Sequence, residues 1–149
     1  MGRLDKASEG LLLFTNDSEW AAQVTDPARH LEKTYHVQIG TKADTRLIEA
    51  VERGVEIETG EVLGVKRANI LRMGQKNSWL ELVLDEGKNR QIRRMLDSRR
   101  VEVLRLVRVA IGPVQLGALG KGAHRLLSPP EKQLLDRALQ LNSISGSND

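Results

Sequence analysis

Asp5 follows Gly2-Arg3-Leu4 and precedes Glu9-Gly10 and an apolar run, which is a setting for a functional carboxylate. Held in a loop beside a buried segment, one carboxylate can serve as a nucleophile or as a base. Most aspartates flanked this way only form turns, so the reading needs partners elsewhere in the chain. Glu86-Gly87-Lys88-Asn89-Arg90-Gln91-Ile92-Arg93-Arg94-Met95 offers them. There a glycine-containing loop enters a helix with Arg90 in its first turn and Arg93 and Arg94 in its second. Loop donors, a helix N-terminus and guanidiniums together make an anion site. Arg93 also stands four residues from Asp97, the spacing of a surface ion pair.

Other chemistries find no support. The chain has no cysteine, which removes disulfide scaffolds, cysteine-ligated zinc, iron–sulfur clusters and thiol catalysis. His30, His36 and His124 are scattered, and no pair has helical metal-ligand spacing, so no metal is expected. Gly117, Gly120 and Gly122 lack the Lys-Ser/Thr pair of a phosphate loop, and no serine sits in a nucleophile elbow. The longest apolar run is Leu11 to Phe14, too short for a membrane span or a signal-peptide core.

The net charge of +3 hides an uneven distribution. From Lys88 to Arg108 eight cations face only Asp97 and Glu102, a local +6 that leaves −3 for the rest of the chain. Such a segment attracts a polyanion, of which nucleic acid is the commonest. With only Phe14, Trp20, Tyr35 and Trp79 as aromatics, a sheet of stacking platforms is not expected.

The elements that must position these residues follow from periodicity and punctuation. Leu11–Phe14 reads as a buried strand. Asn16 or Asp17 caps a helix over about Ser18 to Val24, which Asp26-Pro27 stops. Lys33 to Ile39 alternates, with Tyr35, Val37 and Ile39 on one face. Asp44 or Thr45 caps a second helix that Gly54 ends. Short strands follow at Val55–Ile57, Val62–Leu71 and Trp79–Leu84. A helix over Asn89–Leu96 turns Ile92, Met95 and Leu96 inward. Val101 to Ile111 alternates over its length, and Pro129-Pro130 opens a last helix to about Leu141. This order predicts an α+β fold, a mostly antiparallel mixed sheet flanked by helices. One domain over 1–141 and a disordered polar tail over 142–149 complete the expectation.

Gly2 through Leu13 resembles the signature loop of the RNA pseudouridine synthases, closest to the bacterial ribosomal small- and large-subunit group. Lys33-Thr34-Tyr35, Glu86 through Met95, and Leu104 through Pro113 resemble three further motifs of that family, in the same order. Ala7 and Ser8 depart from the Asp and Thr usual in the loop. The family places sheet strands before this loop, so the chain reads as an N-terminally truncated catalytic domain.

The resemblance implies catalytic roles for Asp5, Tyr35 and Arg93, with Arg93 pairing with Asp5. Arg3, Lys88, Asn89, Arg90, Arg94, Arg99 and Arg100 are then expected to contact RNA. It implies a cytoplasmic isomerase that turns a uridine of ribosomal RNA into pseudouridine, with no cofactor. A non-catalytic RNA-binding domain is the alternative. The missing strands leave an open sheet edge, for which a homodimer is expected.

Overall fold

Side-chain caps start the first two α-helices where the sequence places them. The computed structural model describes residues 4–88 and 90–146, with side chains to residue 140. A two-residue strand, β1 (Glu9–Gly10), precedes α1 (Ser18–Thr25), whose first amides donate to the Asp17 carboxylate at 3.1 Å. After a 3-10 turn over Pro27–Arg29 come β2 (Lys33–Ile39) and α2 (Thr45–Arg53), the latter capped by Asp44. β3 (Val55–Glu56) and β4 (Val62–Leu63) form a separate hairpin. Then follow β5 (Arg67–Met73), β6 (Ser78–Leu84), α3 (Gln91–Ser98), β7 (Val103–Ile111), β8 (Val114–Gln115) and α4 (Pro129–Gly146).

The main sheet runs β1-β7-β2-β6-β5, with β8 also on β7. Its pairs are antiparallel except β1 with β7, which run parallel. This is the expected α+β architecture. One apolar cluster joins Val37, Ile39, Leu80, Leu82 and Leu106 of the sheet to Val51 of α2 and Met95 and Leu96 of α3. A second gathers Leu11, Leu13, Trp20, Leu31 and Ile111 against Leu135 and Leu139 of α4.

Several expectations need correcting. The Leu11–Phe14 run is not itself a strand: pairing is confined to Glu9–Gly10. Leu11 and Leu13 still pack inward while Phe14 lies 83% exposed, so the alternation holds without a ladder. Among the described residues β1 pairs with β7 alone, leaving open the edge on which a second copy was expected. The single strand over Val62–Leu71 is two, broken at Gly64, where the chain turns to hydrogen-bond Val65 N to Val51 O. α3 begins at Gln91 and not at Asn89, which lies outside the described residues. On β7 the most buried residues are Leu106, Arg108, Ala110 and Ile111; of the odd-numbered valines Val103 packs partly buried against the first cluster, and Val107 and Val109 are only half-buried. The last helix continues past Leu141 to Gly146, because residues 142–145 contain no proline or glycine to end it. Most of the expected tail is therefore helical.

Candidate active site

The loop carrying Asp5 is held at its C-terminal side by β7. Gly10 adopts φ +122°, and a Cβ there would stand 2.2 Å from the Arg108 carbonyl oxygen, so only glycine allows this approach. Leu11 N donates to that same oxygen at 2.8 Å. The Arg108 guanidinium returns the contact, donating from Nε and Nη2 to the Leu11 carbonyl at 3.0 and 2.8 Å. Arg105 grips the Glu9 carboxylate with both ends of its fork, at 3.0 and 2.7 Å, and holds that carboxyl below its usual range. Within the loop, Ser8 N donates to Asp5 O and closes a turn.

α3 supplies the other side. Arg90 is its N-cap residue, in the left-handed region at φ +50°, and not part of its first turn. From there its Nη1 donates to Asp5 Oδ2 at 2.9 Å. Arg93, one turn on, brings Nε within 3.2 Å of the same oxygen, an ion-pair contact without hydrogen-bond alignment. Its Nη2 donates to the Ala7 carbonyl at 2.9 Å. Arg93 thus spans the loop, one atom on the carboxylate and one on the backbone. Both guanidiniums lie on Oδ2, and Asp5 Oδ1 has no hydrogen-bond partner among the described residues. The carboxylate is oriented by one oxygen and available through the other.

Asp5 opens into a cleft of about 500 Å³. Leu4, Leu84, Ile92 and Leu106 give it apolar walls, and Tyr35 and Lys88 also line it. Lys33, two residues before Tyr35 on the same strand, is pushed below the ordinary lysine range by burial and by the Arg108 charge. The cleft is thus suited to a flat, partly apolar group attached to an anion.

Asp5, Tyr35, Arg93, Lys88 and Arg90 are brought to one cleft, although Arg90 is engaged with Asp5 and not set apart for phosphate. Arg94 pairs with Glu61 at 3.3 Å. Arg99 and Arg100 lie at the far end of α3. Arg3 and Asn89 fall outside the described residues. The surface pair of Arg93 with Asp97 gives way to the Asp5 contact.

Half of the +6 on this segment is offset in three dimensions. Asp5, Glu61 and Glu9 reach in from distant parts of the chain to pair with Arg90, Arg93, Arg94 and Arg105, and Arg108 is buried.

Gln91 had no assigned role in the sequence, yet it ties the site together. It is 4% exposed; its amide donates to Gly64 O at 2.8 Å and to Glu86 Oε1 at 2.9 Å, and its Oε1 accepts from Lys88 N. A glutamine between charged neighbours carries no sign of burial in sequence. Arg108 belongs to the Leu104–Pro113 motif, but its role as a clamp on the Leu11 carbonyl has no signal in the sequence. Among the described residues no group of three His, Asp or Glu is placed to hold a metal, and no helix is long and apolar enough to cross a membrane.

Comparison with known proteins gives a consistent set of likenesses. Residues 1–98 match the profile of the RNA pseudouridylate synthase family. A ribosomal large subunit pseudouridine synthase E of Xanthomonas campestris pv. campestris is 40% identical, over 84% of this chain and 74% of the relative. A protein of Aquifex aeolicus named an uncharacterized RNA pseudouridine synthase is 35% identical, over 97% of this chain and 57% of the relative. A ribosomal large subunit pseudouridine synthase B of Bacillus subtilis is 37% identical, over 93% and 57%. A crystal structure of a pseudouridylate synthase superposes with a TM-score of 0.78 at 31% identity, covering 90% of this chain and 57% of that one. The chain spans 57% of the length of the Aquifex and Bacillus relatives.

Proposed function

Because the chain belongs to the RNA pseudouridylate synthase family, we propose that it isomerises a uridine of ribosomal RNA to pseudouridine, with Asp5 as the catalytic carboxylate. The observation that carries this reading is the state of Asp5. Arg90 and Arg93 fix Oδ2 while Oδ1, with no hydrogen-bond partner among the described residues, stands at a cleft lined by apolar side chains and Tyr35.

The reaction breaks the N1–C1′ bond and forms a C5–C1′ bond; C5 gives up its proton and N1 gains one. No electrons are lost or gained, so the chemistry calls for no redox cofactor. Attack at C1′, attack at C6 and proton abstraction at C2′ all need an ionised carboxylate with a free oxygen. The two guanidiniums on Oδ2 restrict the direction of that carboxylate. Removing the target base from its stack costs about a few kcal/mol. The Tyr35 ring and the apolar walls replace the lost stacking, and the Tyr35 hydroxyl is the group we assign to proton transfer at C5. Lys88, Arg94, Arg99 and Arg100 contact the RNA backbone in this reading, and the protein works in the cytoplasm with ribosomal RNA as its partner.

Asp5→Asn keeps the shape of the side chain and removes its charge. Tritium release from C5-labelled ribosomal RNA should fall by about 10³-fold or more, with the melting curve retained. Turnover at the wild-type rate in Asp5→Asn would overturn the assignment. A wild-type chain that binds this RNA but releases no tritium would leave a non-catalytic RNA-binding domain.

A further inference from the structure

Among the described residues, three arginines at the opposite end of α3 have no acidic partner in an ion pair. Arg53 closes the last turn of α2, Arg99 is the C-cap of α3, and Arg100 follows it. With Glu56 and Ser98 they line an open pocket of about 550 Å³, outside the Asp5 cleft. No side-chain hydrogen bond or ion pair holds any of the three among the described residues, whereas seven other arginines are ion-paired. Like charges gathered in one place without a counter-charge repel each other. Glu56 offsets one of them, and the carbonyl ends of α2 and α3 supply only about half a charge each.

The backbone of Arg100 adds an independent observation. Arg100 N donates to Asp97 O and Val101 N donates to Leu96 O, both at 2.9 Å. That is a Schellman ending, in which the residue after the C-cap adopts the left-handed conformation and is usually glycine. Here it is an arginine at φ +60°. A long cationic side chain held where glycine would be unstrained points to a use for that side chain.

We infer that Arg53, Arg99 and Arg100 form a second anion site that takes a backbone phosphate of the RNA whose uridine enters the Asp5 cleft. The inference rests on the proposed RNA substrate and adds to it a place and a residue, Arg53 of α2. Eight residues of α3 separate the two sites, about 12 Å along its axis, so one strand can engage both. The chemistry recognised is a phosphate oxyanion, to which guanidiniums bind in forked pairs.

The test uses a fluorescein-labelled stem-loop RNA with unmodified uridines, titrated from about 50 to 200 mM salt. The variants are Arg53→Ala/Arg99→Ala/Arg100→Ala together, and Arg100→Gly alone. The triple variant should bind about tenfold or more weakly at the upper salt concentration. Its log affinity–log salt slope should be shallower by about two, from three lost contacts. Arg100→Gly should melt at the same temperature or higher while binding RNA more weakly. A helix-ending role alone predicts the first change without the second.

An unchanged salt slope in the triple variant overturns the site and leaves the Asp5 assignment standing. If inorganic phosphate raises the melting temperature of the wild type only, and the RNA slope is unchanged, the pocket serves free phosphate and the RNA assignment fails. A wild-type chain that does not bind the RNA overturns the functional reading and this site with it.

Discussion

The two ends of α3 show what the same residue type does under different pairing. At the N-terminal end, Arg90 and Arg93 converge on one oxygen of Asp5, a residue 85 positions away in the chain for Arg90. At the C-terminal end, Arg99 and Arg100 line a pocket with Arg53 and the carboxylate Glu56. Each end carries an arginine in the left-handed region, at φ +50° for Arg90 and +60° for Arg100. The conformation is shared, and the counter-charge is not. A paired guanidinium shapes a carboxylate; an unpaired cluster is left to bind an anion from outside.

The sharpest way to break this comparison is at Arg93. Arg93→Ala should lower turnover by about 10²-fold, and Arg93→Lys should lower it nearly as much. One ammonium cannot reach Asp5 Oδ2 and the Ala7 carbonyl together as Nε and Nη2 do. RNA affinity should change far less than the rate of tritium release. Full turnover in Arg93→Lys would show that only charge matters at this end, and the distinction between orienting and binding arginines would lapse.

A smaller effect is expected at Gln91, whose side chain braces the paired end through Gly64, Glu86 and Lys88. Gln91→Ala should destabilise the fold by about 1–3 kcal/mol, since buried groups lose their partners. It should also lower kcat more than it weakens RNA binding, because the loop leading to Arg90 loosens. If denaturant melts match the wild type, the brace is not structural and α3 holds its own N-terminus.

The smallest effect belongs to an arginine–carboxylate pair remote from both ends, which sets the baseline for structure alone. Glu131 accepts from Arg125 and from Ser128 N at the start of α4, and these contacts lower its carboxyl from 4.5 to about 2. A lowered folded-state value stabilises above the unfolded value and is lost as pH falls from about 4.5 towards 2. Glu131→Gln should lower the melting temperature at pH 7 by roughly 1–3 °C. The difference should vanish near pH 2. A shift that persists in acid would trace the effect to packing and not to charge.

Much of the scaffold was legible because its determinants are local. Asp17 and Asp44 cap their helices within three residues, Asp26-Pro27 stops a helix, and β2 spans the residues its alternation indicates. The motifs grouped Asp5, Tyr35, Lys88, Arg90 and Arg93, and these residues do share one cleft. Where the reading failed, the deciding contact was distant. The Leu11–Phe14 run looked like a strand, but Gly10 and the Arg108 clamp confine its ladder to two residues.

Sequence alone determined the caps, the alternating faces and the family's motifs, since hydrogen bonds and periodicities spanning a few residues are written in order along the chain. Tertiary structure decided which arginines would be free. Eight cations from Lys88 to Arg108 look equivalent in sequence, yet Asp5, Glu9 and Glu61 pair with four of them and Arg108 is buried against the Leu11 carbonyl. Coulomb energy depends on distances in space, and only the fold sets those distances.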